Sequence, residues 1–324
     1  MNVRHRSACL GVCLWLLSAG LVCALAAEFP AAPIIIVVPF AAGSGTDQTA
    51  RAMAQTMAEE FNATVVIDNR GGANGMLAAQ YVAQAKPNGY TLLLTTNTTQ
   101  VANQYLYKKL PYDPVKDFQP IGLIGRGNMF LVVQASSHIK TVDDLIKSAQ
   151  AKPGTLNFGS GSSSSLVGSE LLKQMANIHV TSVPYKSNPQ AVNDLLGGQI
   201  DYMFLDSSTA LPLIRADRLH PVAVSSATRS NAAPKVPTVA EAGLSGFEVT
   251  YWNAVYAPTG VAPDVVDKLA KLIAGAALSK RMVSRQESLG SEAVTSTPSE
   301  LAEYQASEVR TWGRIIRAAG IKPE

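Results

Sequence analysis

The stretch Ile34-Ile35-Ile36-Val37-Val38-Pro39-Phe40-Ala41-Ala42-Gly43-Ser44-Gly45-Thr46-Asp47 decides the fold class of this 324-residue chain. Its first five residues form a short unbroken apolar run, as expected of a strand covered on both faces. Thr46 to Phe61 carries apolar residues at helical spacing. Between them lies a glycine-rich turn that feeds a strand into a helix N-terminus. Such a turn offers unpaired backbone N–H groups and the positive end of a helix dipole to an anion.

The same alternation continues outward. Thr64–Asp68 reads as a strand, Ala73–Ala85 as a helix, and Thr91–Thr95 as a strand after the Asn88-Gly89 turn. This is a βαβαβ unit with a parallel sheet, whose binding edge lies beyond the carboxyl ends of its strands. A long strand, Ile121 to Gln134, opens a second unit. Its expected helices are Thr141–Ala151, Ser164–Ala176, Pro189–Leu196 and Ser208–Ala216; its strands are Leu156–Phe158, Val180–Pro184, Asp201–Leu205 and Pro221–Ser225. Ser226–Pro237 reads as loop, Phe247–Ala257 as a second long strand, and Pro263–Ala277 and Pro298–Ala319 as amphipathic helices. Two α/β units joined by two long strands describe a hinged pair of lobes with a cleft between them.

The N-terminus reads as a secretory signal over residues 1–26. Arg4 and Arg6 supply the basic start, Cys9–Ala24 the apolar stretch, and Ala24-Leu25-Ala26 the cleavage site. All three cysteines, Cys9, Cys13 and Cys23, fall inside it, so the mature chain is expected to have no disulfide and no thiolate site. Loss of Arg4 and Arg6 takes the formal net charge from +3 to +1. With no basic run, nucleic acid is not an expected partner.

Two loops suit an anion. In the first, Gly43-x-Gly45 begins a dinucleotide-like pattern, but Gln48 stands in the third glycine position and no phosphate-loop lysine follows. The second, Phe158-Gly159-Ser160-Gly161-Ser162-Ser163-Ser164-Ser165, again leaves a strand and enters a helix. Its hydroxyls and N–H groups suit a carboxylate held by many donors without a buried cation. Thr95–Thr99 and Val183–Asn188 stand at further strand ends. Catalytic patterns are thin. The serine loop lacks the nucleophile-elbow spacing, and His138, His179 and His220 are isolated, without metal-ligand spacing. A secreted serine hydrolase is the alternative from another class, and no cofactor is expected.

Several segments together resemble the Bug-type extracytoplasmic solute receptors, the binding proteins of tripartite tricarboxylate transporters. They are Val38–Gly43 with Thr46-Asp47, Val66–Ala73, Ala85–Leu93, Tyr112–Phe118, Val183–Lys186, Asp194–Asp201 and Pro237–Gly243. The resemblance spans nearly the whole mature chain. It implies a two-lobed α/β periplasmic binding protein fold, type II-like, that closes over its ligand about two crossing strands. The implied lobes are 27–125 plus 253–324, and 126–252. The implied partners are a small organic carboxylate and membrane transporter subunits, with the receptor itself a monomer.

Carried over, the resemblance places Phe40, Gly43, Ser44, Gly45, Thr46 and Asp47 against Ser160, Ser162, Ser163 and Ser164 around the carboxylate. Thr96, Asn97, Tyr185 and Asp206 complete the candidate set at strand ends. The chain departs from the family pattern at Ser44, Thr96–Thr98, Ser187 and Arg126. Arg126 is a lone charge in an apolar crossing segment, and two roles stand equally open for it: a guanidinium binding a second carboxylate, or a surface or inter-lobe salt bridge. Phe40, Tyr185, Phe204 and Trp252 are expected as walls. Together these point to a dicarboxylate, aromatic ones such as terephthalate included.

Overall fold

The computed structural model describes residues 29–323. The expected signal segment and its cysteines lie outside them. Among the described residues no helix is long and apolar enough to cross a membrane.

The first unit contains β1 (Ile34–Val38), α1 (Gly45–Phe61), β2 (Val65–Asn69), α2 (Met76–Ala83) and β3 (Thr91–Thr96). β1 lies between β2 and β3, parallel to both. Its unbroken apolar run is explained by burial on both faces. Ile34, Ile36 and Val38 share a cluster with Met53 and Met57 of α1, while Val37 belongs to a second cluster with Ala78, Val82 and Leu93. The helix expected at Ala73–Ala85 starts late. Ala73 and Asn74 take positive φ, making a tight turn before α2. After β3 the chain makes a π turn at Thr98–Ala102 and a short helix, α3 (Asn103–Leu106).

The long strand β4 (Phe118–Gln134) leads into α4 (Val142–Ala151), β5 (Asn157–Ser160), α5 (Ser163–Met175), β6 (Thr181–Pro184), α6 (Asn188–Leu196), β7 (Tyr202–Asp206), α7 (Ser207–Arg215) and β8 (Leu219–Val224). The chain returns along β9 (Thr250–Pro258) to α8 (Pro263–Ala277), α9 (Lys280–Ser288), β10 (Ser291–Glu292) and α10 (Pro298–Ala318). Phe247, expected as strand, precedes β9; it is buried and stacks on Phe204 at 5.6 Å.

β4 and β9 are antiparallel partners from Phe118↔Pro258 to Asn128↔Thr250. β9 also pairs with β3, whereas β4 beyond Asn128 pairs with β7 and β8. The strands therefore run in one hydrogen-bonded path, β2-β1-β3-β9-β4-β7-β5-β6. Two α/β lobes share it, and β4 and β9 cross between them. α10 begins with a capping box of Thr297 and Glu300 and contacts both β4 and α5. Gln305 of α10 ties the helix down by donating to the carbonyls of Gln100 and Pro114 and accepting from Tyr256.

Candidate functional site

Four strand-to-helix turns bring helix N-termini to the gap between the lobes. Each is shaped by a small polar residue just before the helix. The Ser44 hydroxyl accepts from the Asp47 N–H at 3.2 Å, and that of Ser162 from the Ser165 N–H at 3.2 Å. Asp206 caps α7 by accepting from the Thr209 N–H at 3.0 Å. Ser187 precedes α6 without a side-chain cap bond. At the other three helices capping satisfies one donor and leaves the N–H groups of the first helical residues for a ligand. The cleft is lined by Phe40, Ser44, Gly45, Thr46, Thr96, Thr98, Met129, Gly161, Ser162, Ser164, Asn188, Asp206 and Tyr251.

The lobes are closed over this space. Asn97 donates to the Ser164 hydroxyl at 3.2 Å, and the Ser163 hydroxyl donates to Asn103 Oδ1 at 3.2 Å; both bonds run from the first lobe to the second. A methyl group on Gly45 would overlap Asp206 Oδ1 and Ser208 Oγ, so α1 can approach α7 only because residue 45 has no side chain. A buried polar atom without a partner costs free energy unless a ligand or water satisfies it. The Thr98 hydroxyl on the cleft wall is such an atom.

Eight residues of the candidate set therefore line the cleft: Phe40, Ser44, Gly45, Thr46, Thr96, Ser162, Ser164 and Asp206. Others stand behind it. Asp47 Oδ2 accepts from the Gly43 N–H at 2.8 Å and from Arg51 Nε at 3.0 Å. Arg51 donates onward to Asn69, which donates to the Phe40 carbonyl. Asp47 thus holds the loop that carries the ligand-facing groups. Burial acts to raise its pKa, but the bonds from Arg51, Gly43 and Asn69 outweigh this and hold it below the usual value. A depressed pKa contributes stability above the unfolded value of about 3.8, which is lost as pH falls through the folded value. Asp47→Asn is expected to lower the melting temperature at pH 7, with the two proteins converging below pH 3.8; an equal deficit at all pH values would refute this role. Gly43 supplies the positive φ of the same turn, at 83°. Ser160 is buried and its carbonyl accepts from the Tyr185 N–H, while Ser163 and Asn97 serve the inter-lobe bonds.

Three expectations need correction. Arg126 does not face the cleft. It lies opposite Glu292 on β10, pairs with it at 2.7 Å, and both side chains are more than half exposed. Tyr185 points away, its hydroxyl donating to Asp194 at 2.7 Å. Phe204 and Trp252 are fully buried in the core and are not on the cleft wall. The walls are instead Phe40, Met129 and Tyr251. Burial, then the neighbouring Asp206, pushes the Tyr251 hydroxyl up to about 12, so it remains neutral; it lies 3.2 Å from the Ser207 hydroxyl and 3.1 Å from that of Ser291. Thr98, Gly161 and Asn188 also line the cleft; all belong to segments quoted above for their position at strand ends.

Among the described residues, no lysine, arginine or histidine lines the cleft. Among the described residues no group of three or more His, Cys, Asp or Glu side chains is placed to hold a metal ion. His138 contacts Ser148 and His220 the Lys140 carbonyl, so neither stands beside the serine loop as a base. The arrangement can hold an anion by neutral donors and enclose it; the proton relay that a serine nucleophile needs is not assembled there.

Residues 49–321 match the model of the tripartite tricarboxylate transporter family receptor. The chain is 32% identical over 327 residues to the protein BugT of Bordetella pertussis, covering 99% of each. A structure from R. palustris with adipate superposes with a TM-score of 0.89 at 32% identity, covering 92% of this chain and 100% of that one. MatC from Rhodopseudomonas palustris with bound malate gives 0.83 at 30% identity, covering 89% and 100%.

Proposed function

The chain belongs to the tripartite tricarboxylate transporter receptors, a family of periplasmic solute-binding proteins, and from that premise we propose that it captures a small organic carboxylate and delivers it to membrane transporter subunits of this type. Adipate and malate in the related structures support the carboxylate class. The observation that carries the reading is the cleft itself, where the N-termini of α1 and α5, whose first N–H groups lack intrahelical partners, meet beside hydroxyls and the unpartnered Thr98. Micromolar to nanomolar affinity corresponds to about −8 to −12 kcal/mol. One helix terminus contributes about 0.3–2 kcal/mol, so several donors and the apolar walls must act together. Export with cleavage near Ala26, a monomeric state, and lobes 27–125 plus 253–324 and 126–252 are part of the same proposal. With Arg126 outside the cleft, a dicarboxylate reading rests on adipate and malate in the related structures and not on a guanidinium.

A thermal-shift screen of mono-, di- and tricarboxylates on the mature protein tests the reading. A ligand at about a hundred times its Kd stabilises the folded form by about 2.7 kcal/mol. Small-angle scattering should show one protomer that becomes more compact with ligand. No stabilisation by any carboxylate, or turnover of the one that binds, would refute it.

A further inference from the structure

We infer that Asp206 selects among carboxylates, admitting those that also carry a hydrogen-bond donor, a hydroxyl or an ammonium group, over plain dicarboxylates; this rests on the carboxylate-receptor reading above. Among the described residues, Asp206 is the only acidic or basic side chain on the cleft wall, and it is a carboxylic acid side chain. Its Oδ1 is fully engaged, accepting from the Ser208 hydroxyl at 2.6 Å, the Thr209 N–H at 3.0 Å and the Thr209 hydroxyl at 2.9 Å. No bond of this kind reaches Oδ2 among the described residues. The three bonds fix the carboxylate against α7, and Gly45 of α1 packs directly on it when the lobes are closed. It therefore cannot swing away from an incoming anion without opening the contact that closes the cleft.

A ligand carboxylate is served by the helix N-termini and hydroxyls, but a second one meets Asp206 with no arginine, lysine or histidine to offset the repulsion. A hydroxyl or ammonium in the same place donates to Oδ2. Discrimination thus comes from rejection as much as attraction. Met129 and Tyr251 complete this part of the wall with an apolar chain and a neutral hydroxyl.

Calorimetry on the full mature protein with six four-carbon probes tests the inference. Butyrate and succinate carry no donor; 4-hydroxybutyrate, 4-aminobutyrate, malate and aspartate do, and comparing them separates hydroxyl from ammonium. The expected result is that the best donor-bearing probe binds at least tenfold more tightly than both donor-free ones. Asp206→Asn keeps the shape and the helix cap. It should weaken that probe at least tenfold and tighten succinate. Tighter binding of succinate to the wild type, or a preference unchanged within about threefold in Asp206→Asn, would overturn the inference. So would silence from all six probes: if another carboxylate then binds, the receptor reading survives alone, and if none does, both fall.

Discussion

Gly45→Leu is expected to abolish tight ligand binding while leaving the unliganded protein folded. Residue 45 opens α1, and even a methyl group there would overlap Asp206 Oδ1 and Ser208 Oγ across the gap. In an open arrangement the leucine side chain projects into solvent. Leucine is also a better helix former than glycine by roughly 0.5–1 kcal/mol, so the open form gains nothing but stability. Closure is what brings Thr46 and Ser44 on one side and Ser162 and Ser164 on the other around one ligand. Affinity should fall at least about 100-fold, or about 2.7 kcal/mol, with the melting temperature of the unliganded protein unchanged or raised. Scattering should show no compaction on adding ligand. Affinity near that of the wild type would mean that binding does not need the contact between α1 and α7.

Trp252→Ala is expected to have the largest effect on stability. Trp252 is fully buried in β9, stands edge-on to Tyr304 at 5.8 Å, and donates its indole N–H to Glu308 at 3.0 Å. Truncating a buried tryptophan costs about 3–5 kcal/mol. It also removes a donor from a carboxyl group that burial already pushes up, against the bonds from Trp252 and Trp312 that pull it down. A carboxyl whose folded pKa is raised penalises the fold above that pKa. The penalty disappears as pH falls through it toward the unfolded value. The deficit of Trp252→Ala in urea unfolding should therefore be larger at pH 8 than at pH 4.5. A loss below about 1.5 kcal/mol at pH 7 would place it outside the range for a buried aromatic and refute this account.

Much of the site was legible because its donors are local. A strand followed by Gly-Ser-Gly-Thr, or by Gly-Ser-Gly-Ser, specifies a turn and a helix cap from neighbouring residues alone, and Ser44, Gly45, Thr46, Ser162 and Ser164 followed from that. The crossing strands resisted the same treatment. Pairing of β4 with β9 shifts register between Pro120 and Gly122 and again between Leu123 and Gly125. Each such irregularity changes which face an alternating pattern presents, so Tyr251 and Met129 could not be told from Trp252 by spacing. Arg126 was misplaced for a related reason. Its partner Glu292 is 166 residues away, on the two-residue strand β10 that no local pattern announces. α9 was missed because it is polar, burying only Met282 and Gln286; its one signal is the Ser279 cap. The π turn after Thr96 has no sequence signature, yet it sets the Thr98 hydroxyl on the cleft wall.

The path of β4 and β9 also bears on how such receptors diversify. Asn128 and Thr250 face each other as antiparallel partners, so the chain from Met129 to Val249 departs and returns at adjacent points. Topologically, a whole lobe occupies the place of a hairpin turn. Ser162, Ser164, Asn188 and Asp206 all ride on that one segment. Half of the recognition chemistry is thus a cassette with its two joints side by side. Exchanging it between relatives would change what is recognised in a single graft, with the face of α10 that meets α5 as the seam to be matched.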